Sequence, residues 1–234
     1  MGKNKLARFA EMKSFSNVKE PHIAEIKAGS YSLKGRWKAD FFQNNNPIVL
    51  ELGCGKGEYT VGLALKYPSR NHIGIDIKGA RMWRGAKTAV ENNIQNVLFL
   101  RTRIEFITSF FSEDEIDEIW VTFPDPFPKV VDSGKRLTSP PFLISYRKIL
   151  CDKGIIHLKT DNYPLYKYTR GVAMANSLEV LSDTSDLYGD SVENEILTIR
   201  THYENLFLKQ GIKINYLSFR LEKNREIKDA HSKK

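Results

Sequence analysis

From Asn46 onward the chain alternates short apolar runs with longer amphipathic ones, without repeats or low-complexity stretches, and this is the texture of an α/β domain. The spacing predicts strands over 47–52, 71–76, 97–101, 118–123 and 154–159, with another near 178–182. Helices are expected over 58–66, 79–93, 104–110, 140–150 and 163–175. Strands this apolar, separated by helices, imply a mostly parallel sheet covered on both faces. Ile212–Leu221 alternates as a strand able to enter that sheet antiparallel. The polar stretch Asp183–Glu195 reads as a long loop, and residues 1–40 as an arm without clear periodicity, flexible unless bound. The expected organisation is therefore a basic arm over 1–40, one domain over 41–222 and a basic tail over 223–234.

Composition narrows the setting. With 234 residues, 41% of them hydrophobic, the chain can fill a sizeable core, which excludes intrinsic disorder. Cys54 and Cys151 are its only cysteines, so a disulfide scaffold is excluded and a reducing compartment is expected. No apolar run approaches the roughly 20 residues that span a bilayer, and the polar start gives no signal core, so the expectation is a cytoplasmic protein away from membranes. The formal charge of +8 is concentrated at the ends. Residues 1–38 hold nine Lys/Arg against three Glu, and residues 220–234 hold six against three acids. A near-neutral body with basic ends suits a polyanion gripped beside a pocket that need not itself be basic.

Glu51-Leu-Gly-Cys-Gly-Lys-Gly57 follows the first strand and opens a helix, the place where open α/β sheets bind ligands. Gly53, Gly55 and Gly57 let backbone approach a ligand that Cβ atoms would exclude. A dinucleotide fingerprint would place its third glycine at position 58, where Glu58 stands, so pyrophosphate is disfavoured. Glu51 suits instead a ligand carrying an ammonium or sulfonium charge, for which S-adenosylmethionine is the natural candidate. Asp76 ends the second strand nineteen residues beyond Gly57, where an acid can accept both ribose hydroxyls.

Val121-Thr-Phe-Pro-Asp-Pro-Phe-Pro-Lys129 follows the fourth strand, and its three prolines stiffen the loop that carries Asp125. Here the sequence resembles the tRNA (guanine-N7)-methyltransferase family, whose mark is a Pro-Asp-Pro-Trp-Pro-Lys type loop. Leu158-Lys-Thr-Asp-Asn162 and Thr201-His-Tyr-Glu204 match two further family segments in order, so the resemblance covers roughly 47–220. It implies a Rossmann-like class I methyltransferase fold with a mostly parallel seven-stranded sheet and an antiparallel last strand. It also implies S-adenosylmethionine as methyl donor, no metal, and tRNA as partner. Glu51, the three glycines, Asp76 and Asp125 would line the cofactor site, with Asp125 as the catalytic residue. Lys129, Asp161, Thr201, His202, Tyr203 and Glu204 would meet the substrate. Phe127 stands where tryptophan is commoner, and the basic cluster after the loop is reduced to Lys135 and Arg136. Arg103 stands where the family usually has an acid for the adenine amino group, and a guanidinium cannot accept that bond. Adenine is then held by backbone at Ile104 or by Glu105, alternatives that the sequence leaves open.

Guanine N7 has an in-plane lone pair and no proton to lose, so methyl transfer to it needs positioning and no general base. Rival readings are an exocyclic-amine methyltransferase, whose loop would carry paired prolines after the acid, and an RNA binder with a degenerate cofactor pocket. Cys54 lacks the Cys/His company of a zinc site. His157, within an apolar strand, and Trp83 and Trp120 read as packing residues, while Trp37 either packs back or meets RNA.

Overall fold

The structure is a computed structural model that describes residues 2–29, 31–190, 195–223 and 226–228. The chain divides into two compact units, Met1–Ser112 and Glu113–Lys234. The first unit begins with helix α1 (Gly2–Met12), the two-residue strand β1 (Val18–Lys19), helix α2 (Ile23–Ala28) and a π-helical turn at Trp37–Phe42. Strand β2 (Ile48–Leu52) follows, then α3 (Glu58–Lys66), β3 (Asn71–Asp76), α4 (Gly79–Glu91), β4 (Val97–Arg101), a 3-10 turn at Ile104–Phe106 and α5 (Ile107–Phe110). All residues of β2 and β3 are buried, as parallel strands covered on both faces require. The four strands pair in parallel in the order β1-β4-β3-β2, with Leu52 beside Ile75 and Asp76 beside Arg101. The C-terminal ends of β2, β3 and β4 therefore come to one edge, where the glycine loop emerges.

Within residues 1–40, read from the sequence as an arm, the described residues carry packed elements. Glu11 on α1 accepts a hydrogen bond from Trp83 Nε1 at 2.6 Å and pairs with Lys87 at 2.8 Å, both on α4. Trp37 is completely buried, with its indole donating to the Phe110 carbonyl at 2.9 Å and its ring beside Phe111. Several of the basic residues are engaged locally, Lys34 with the Thr108 carbonyl, Arg36 with Asp40, and Arg8 over the Trp83 ring.

The second unit contains β5 (Ile116–Thr122), a 3-10 turn at Val130–Lys135, α6 (Pro140–Arg147), β6 (Leu150–Thr160) and α7 (Tyr163–Ala175). It ends with β7 (Val180–Thr184), a 3-10 turn at Glu195–Thr198, α8 (His202–Lys209) and β8 (Asn215–Leu221). Strands β5 and β6 are parallel, whereas β8 pairs antiparallel with both β6 and β7. Eight strands are present among the described residues where the sequence suggested seven, the addition being the short β1. Strand β6 starts at Leu150, ahead of the expected 154, because its pairing with β5 jumps from Ile116↔Leu150 to Glu118↔Ile155 around the left-handed Lys153. Trp120 stacks on His157 at 3.9 Å, and His157 Nδ1 meets the Tyr216 hydroxyl at 2.8 Å, so these residues belong to the core. Within the stretch expected as a loop at 183–195, β7 reaches Thr184 and residues 191–194 lie outside the described residues. The same holds for most of the basic tail.

Candidate functional site

The glycine loop is held from both sides. Gly53 and Cys54 donate to the Ile75 carbonyl at 2.8 and 3.1 Å, and the Gly55 amide donates to Asp76 Oδ2 at 2.9 Å. The other oxygen of Asp76 accepts from the Lys78 amide at 2.7 Å, so this one carboxylate ties the loop after β2 to the turn after β3. Each carboxylate oxygen keeps further acceptor capacity, which leaves Asp76 able to take ribose hydroxyls as well. Gly57 explains the motif's last glycine. Its φ is +71°, and a Cβ there would sit 2.4 Å from a Phe99 ring carbon and 3.2 Å from Gly85 Cα, where α4 crosses the loop. Gly55 has φ of +55°, and a Cβ there would meet only the Gly53 carbonyl oxygen, at 4.0 Å.

Glu51 is buried and accepts through Oε2 from the Thr60 amide at 2.8 Å and from the Thr60 hydroxyl. Its charge thus lies against the first turn of α3, whose amides favour an anion. Burial, helped by the charges of Glu51 and Asp76, pushes the Cys54 thiol well above its ordinary value, and Cys54 packs in the core with Val61, Met82 and Phe99. Arg103 is exposed and pairs with Glu105 at 2.8 Å. Glu105 is therefore engaged by the residue it was expected to replace, and Ile104 half-buries at the start of the 3-10 turn.

In the second unit the proline loop leaves β5 under backbone strain. Phe123 and Phe127 both hold positive φ, +48° and +43°, a region that a bulky side chain enters only when its surroundings enforce it. The enforcement is visible. The Phe123 amide donates to the Lys159 carbonyl at 2.8 Å, and its ring lies 5.9 Å from Phe207 of α8. Arg136 donates to the carbonyls of Pro126 and Phe127 at 3.0–3.2 Å and lies over the Tyr168 ring. Sequence reasoning assigned Arg136 to a basic cluster, whereas it is a clamp on the loop, and Lys135 pairs with Asp132. Asp125 and Lys129 are exposed on this clamped backbone.

Strand β6 ends in Lys159-Thr160, and Asp161 follows it. Burial raises the Asp161 carboxyl above its ordinary 3.8. Lys159, which sequence reasoning passed over, is fully buried against Glu204 at 2.8 Å and also donates to the carbonyls of Leu197 and Ile199, each at 3.0 Å. Tyr188 completes the cluster, donating to Glu204 at 2.6 Å. Thr201 and Glu204 form the capping box of α8, with the Glu204 amide donating to Thr201 Oγ1 at 3.2 Å. Glu204 is thus a correction to the sequence reading: with no exposed surface it shapes the 197–204 segment and does not present its carboxylate to a substrate. His202 and Tyr203 are exposed, as are Thr198 and Arg200 in the same segment. The structure gathers the proline loop, the end of β6 and the start of α8 at the C-terminal ends of β5 and β6.

Residues 45–217 match the protein family described as "Putative methyltransferase". A tRNA (guanine-N(7)-)-methyltransferase of Porphyromonas gingivalis is 53% identical over 213 residues, 90% of this chain and 86% of its own. One of Bacteroides fragilis is 48% identical over 229 residues, 98% of this chain and 90% of its own. Among solved structures, the 16S rRNA methyltransferase KamB superposes with a TM-score of 0.58 at 15% identity, covering 87% of this chain and 95% of that one. A 16S rRNA (adenine(1408)-N(1))-methyltransferase from Catenulisporales acidiphilia, determined with cosubstrate SAM, gives 0.55 at 15% identity over 83% and 94%. These likenesses show the fold to be the Rossmann-like class I methyltransferase fold.

Proposed function

The chain belongs to the tRNA (guanine-N(7)-)-methyltransferase family, and from that premise we propose that it transfers a methyl group from S-adenosylmethionine to N7 of a guanine in tRNA, giving 7-methylguanosine. The observation that carries this reading is the proline loop, in which Arg136 and two left-handed phenylalanines fix the backbone that presents Asp125. A base that brings its own lone pair needs alignment more than proton transfer. Holding nucleophile and methyl donor in line contributes about 7–11 kcal/mol in favourable cases.

S-adenosylmethionine, when bound, supplies the methyl group. Glu51, Gly53, Gly55, Gly57 and Asp76 hold it, with Asp76 taking the ribose. Asp125 and Asp161 accept from guanine N1 and N2, groups that adenine presents differently. Lys129, His202 and Tyr203 meet the RNA, while Thr201 and Glu204 set the backbone beneath them. The basic ends engage tRNA phosphates, and the setting is the cytoplasm, where tRNA is found. The test is mass-spectrometric mapping of nucleosides after incubating the protein with tRNA and methyl donor. 7-Methylguanosine is expected, and a methyl group on an exocyclic amine overturns the assignment.

A further inference from the structure

Helix α7 begins just beyond the end of β6, and its first residue is an aromatic that faces solvent. Tyr163 is 52% exposed and stands two residues beyond the half-buried Asp161. Asn162, between them, caps the helix: its side chain accepts from the Leu165 amide at 2.9 Å, and its own amide donates to Thr160 Oγ1 at 3.0 Å. The turn that links the acid to the exposed ring is therefore fixed at both ends.

The ring itself is supported. Its centroid lies 5.8 Å from that of Tyr166, with the planes 30° apart. Tyr166 is buried and its hydroxyl donates to Asp183, while Arg170 holds the other oxygen of that carboxylate at 2.6 Å. A side chain held in this way loses little rotamer entropy when a ligand settles on it. The charges on the helix have one sign, since α7 carries Lys167 and Arg170 and no acid in its thirteen residues. Arg170 is occupied by Asp183. Lys167 is exposed, has no ion pair among the described residues, and sets its ammonium 5.9 Å from the Tyr163 ring centroid. A rigid aromatic face beside an unneutralised cation is what an unpaired RNA strand requires, the ring for a base and the cation for a phosphate.

We propose that Tyr163 is a stacking platform for the nucleotide adjacent to the target guanine, with Lys167 on that nucleotide's phosphate. The proposal rests on the reading above, in which Asp161 meets a guanine of tRNA. A guanine whose N1 and N2 edge is held by a protein carboxylate has left its own stack, so its neighbour loses a stacking partner as well. Two residues of chain advance at most about 7 Å, which puts the ring in reach of the next base of the strand. Stacking accepts any base, so the platform adds affinity for an unpaired strand and no further sequence preference.

Fluorescence of tRNA carrying 2-aminopurine in place of either neighbour of the methylated guanine tests it, together with tRNA affinity and saturated single-turnover methylation. With wild type, the probe at one of the two neighbours should be quenched as it stacks. Tyr163→Leu, which keeps an apolar side chain over Tyr166, should leave that probe severalfold brighter. The same variant should weaken tRNA binding about tenfold, within the range for stacking one base, at an unchanged saturated rate and unchanged S-adenosylhomocysteine affinity. Tyr163→Phe, which keeps the ring, should recover the affinity to within about twofold. Lys167→Gln should lower the slope of log affinity against log salt by about 0.7. Equal brightness of both probes with wild type and Tyr163→Leu, or a loss confined to the saturated rate, overturns the platform. Normal tRNA binding by Tyr163→Leu with altered sedimentation of the protein alone overturns it in favour of a contact between two copies. A wild type that forms no 7-methylguanosine on tRNA overturns the function reading itself.

Discussion

Replacing Lys159 by Met should destabilise the protein by about 3–5 kcal/mol, the cost of breaking a buried ion pair from one side. The magnitude follows from what is left behind. Lys159 and Glu204 have no exposed side-chain surface and meet at 2.8 Å, and the ammonium also serves the Leu197 and Ile199 carbonyls. Methionine fills the volume but leaves a buried carboxylate with the Tyr188 hydroxyl and orphans two carbonyls that water cannot reach. Glu204→Gln in the same background removes the uncompensated charge, so the double variant should cost at least 1 kcal/mol less than the sum of the singles. Urea unfolding at constant m-value reads both numbers. Burial also lowers the Lys159 ammonium below its ordinary 10.5, despite the opposing attraction of Glu204. The folded chain therefore binds that proton less readily than the unfolded chain, so this group makes stability rise with pH in the alkaline window ending near 10.5. Lys159→Met should abolish that rise. A loss below 1 kcal/mol, or strict additivity in the double variant, refutes the reasoning.

Gly57→Ala should cost about 2–4 kcal/mol, because the new methyl meets Phe99 at 2.4 Å with φ at +71°, and thermal unfolding checks it. Asp76→Ala removes the acceptor proposed for the ribose and releases the Gly55 and Lys78 amides, so cofactor affinity should fall by about 2–4 kcal/mol in calorimetry. Asp161→Asn should raise the melting temperature at neutral pH while lowering turnover. Burial holds that carboxyl above 3.8, so its charged form costs stability, and the cost appears as pH rises from 3.8 through the folded value. A melting temperature that falls would contradict this.

The central strands and the glycine loop were legible because burial on both faces writes continuous apolar runs, and because Glu51, the glycines and Asp76 are close in sequence. The β1–α2 region was not legible, since a two-residue strand and a six-residue helix are too short to show a period. Helix α8 could have been found, because Thr201 and Glu204 have capping-box spacing as well as family spacing. The role of Lys159 was out of reach, since its partners Tyr188, Leu197, Ile199 and Glu204 lie dozens of residues away and only folding brings them to one ammonium. Arg136 was legible only as part of a reduced basic cluster, because its role as a clamp shows only once its carbonyl partners are seen.

The central claim, methyl transfer to N7 by positioning, is tested most directly through Asp125 in single-turnover methylation of tRNA across pH. Asp125→Asn keeps the shape of the clamped loop but loses the charge and, in the proposed guanine pose, turns an NH₂ toward a guanine donor. Turnover should fall at least about a hundredfold, of order 3 kcal/mol in the transition state, with the product still 7-methylguanosine. Because N7 carries no proton to remove, wild type and variant should keep parallel pH–rate profiles, and recovery of the variant at high pH would contradict the account.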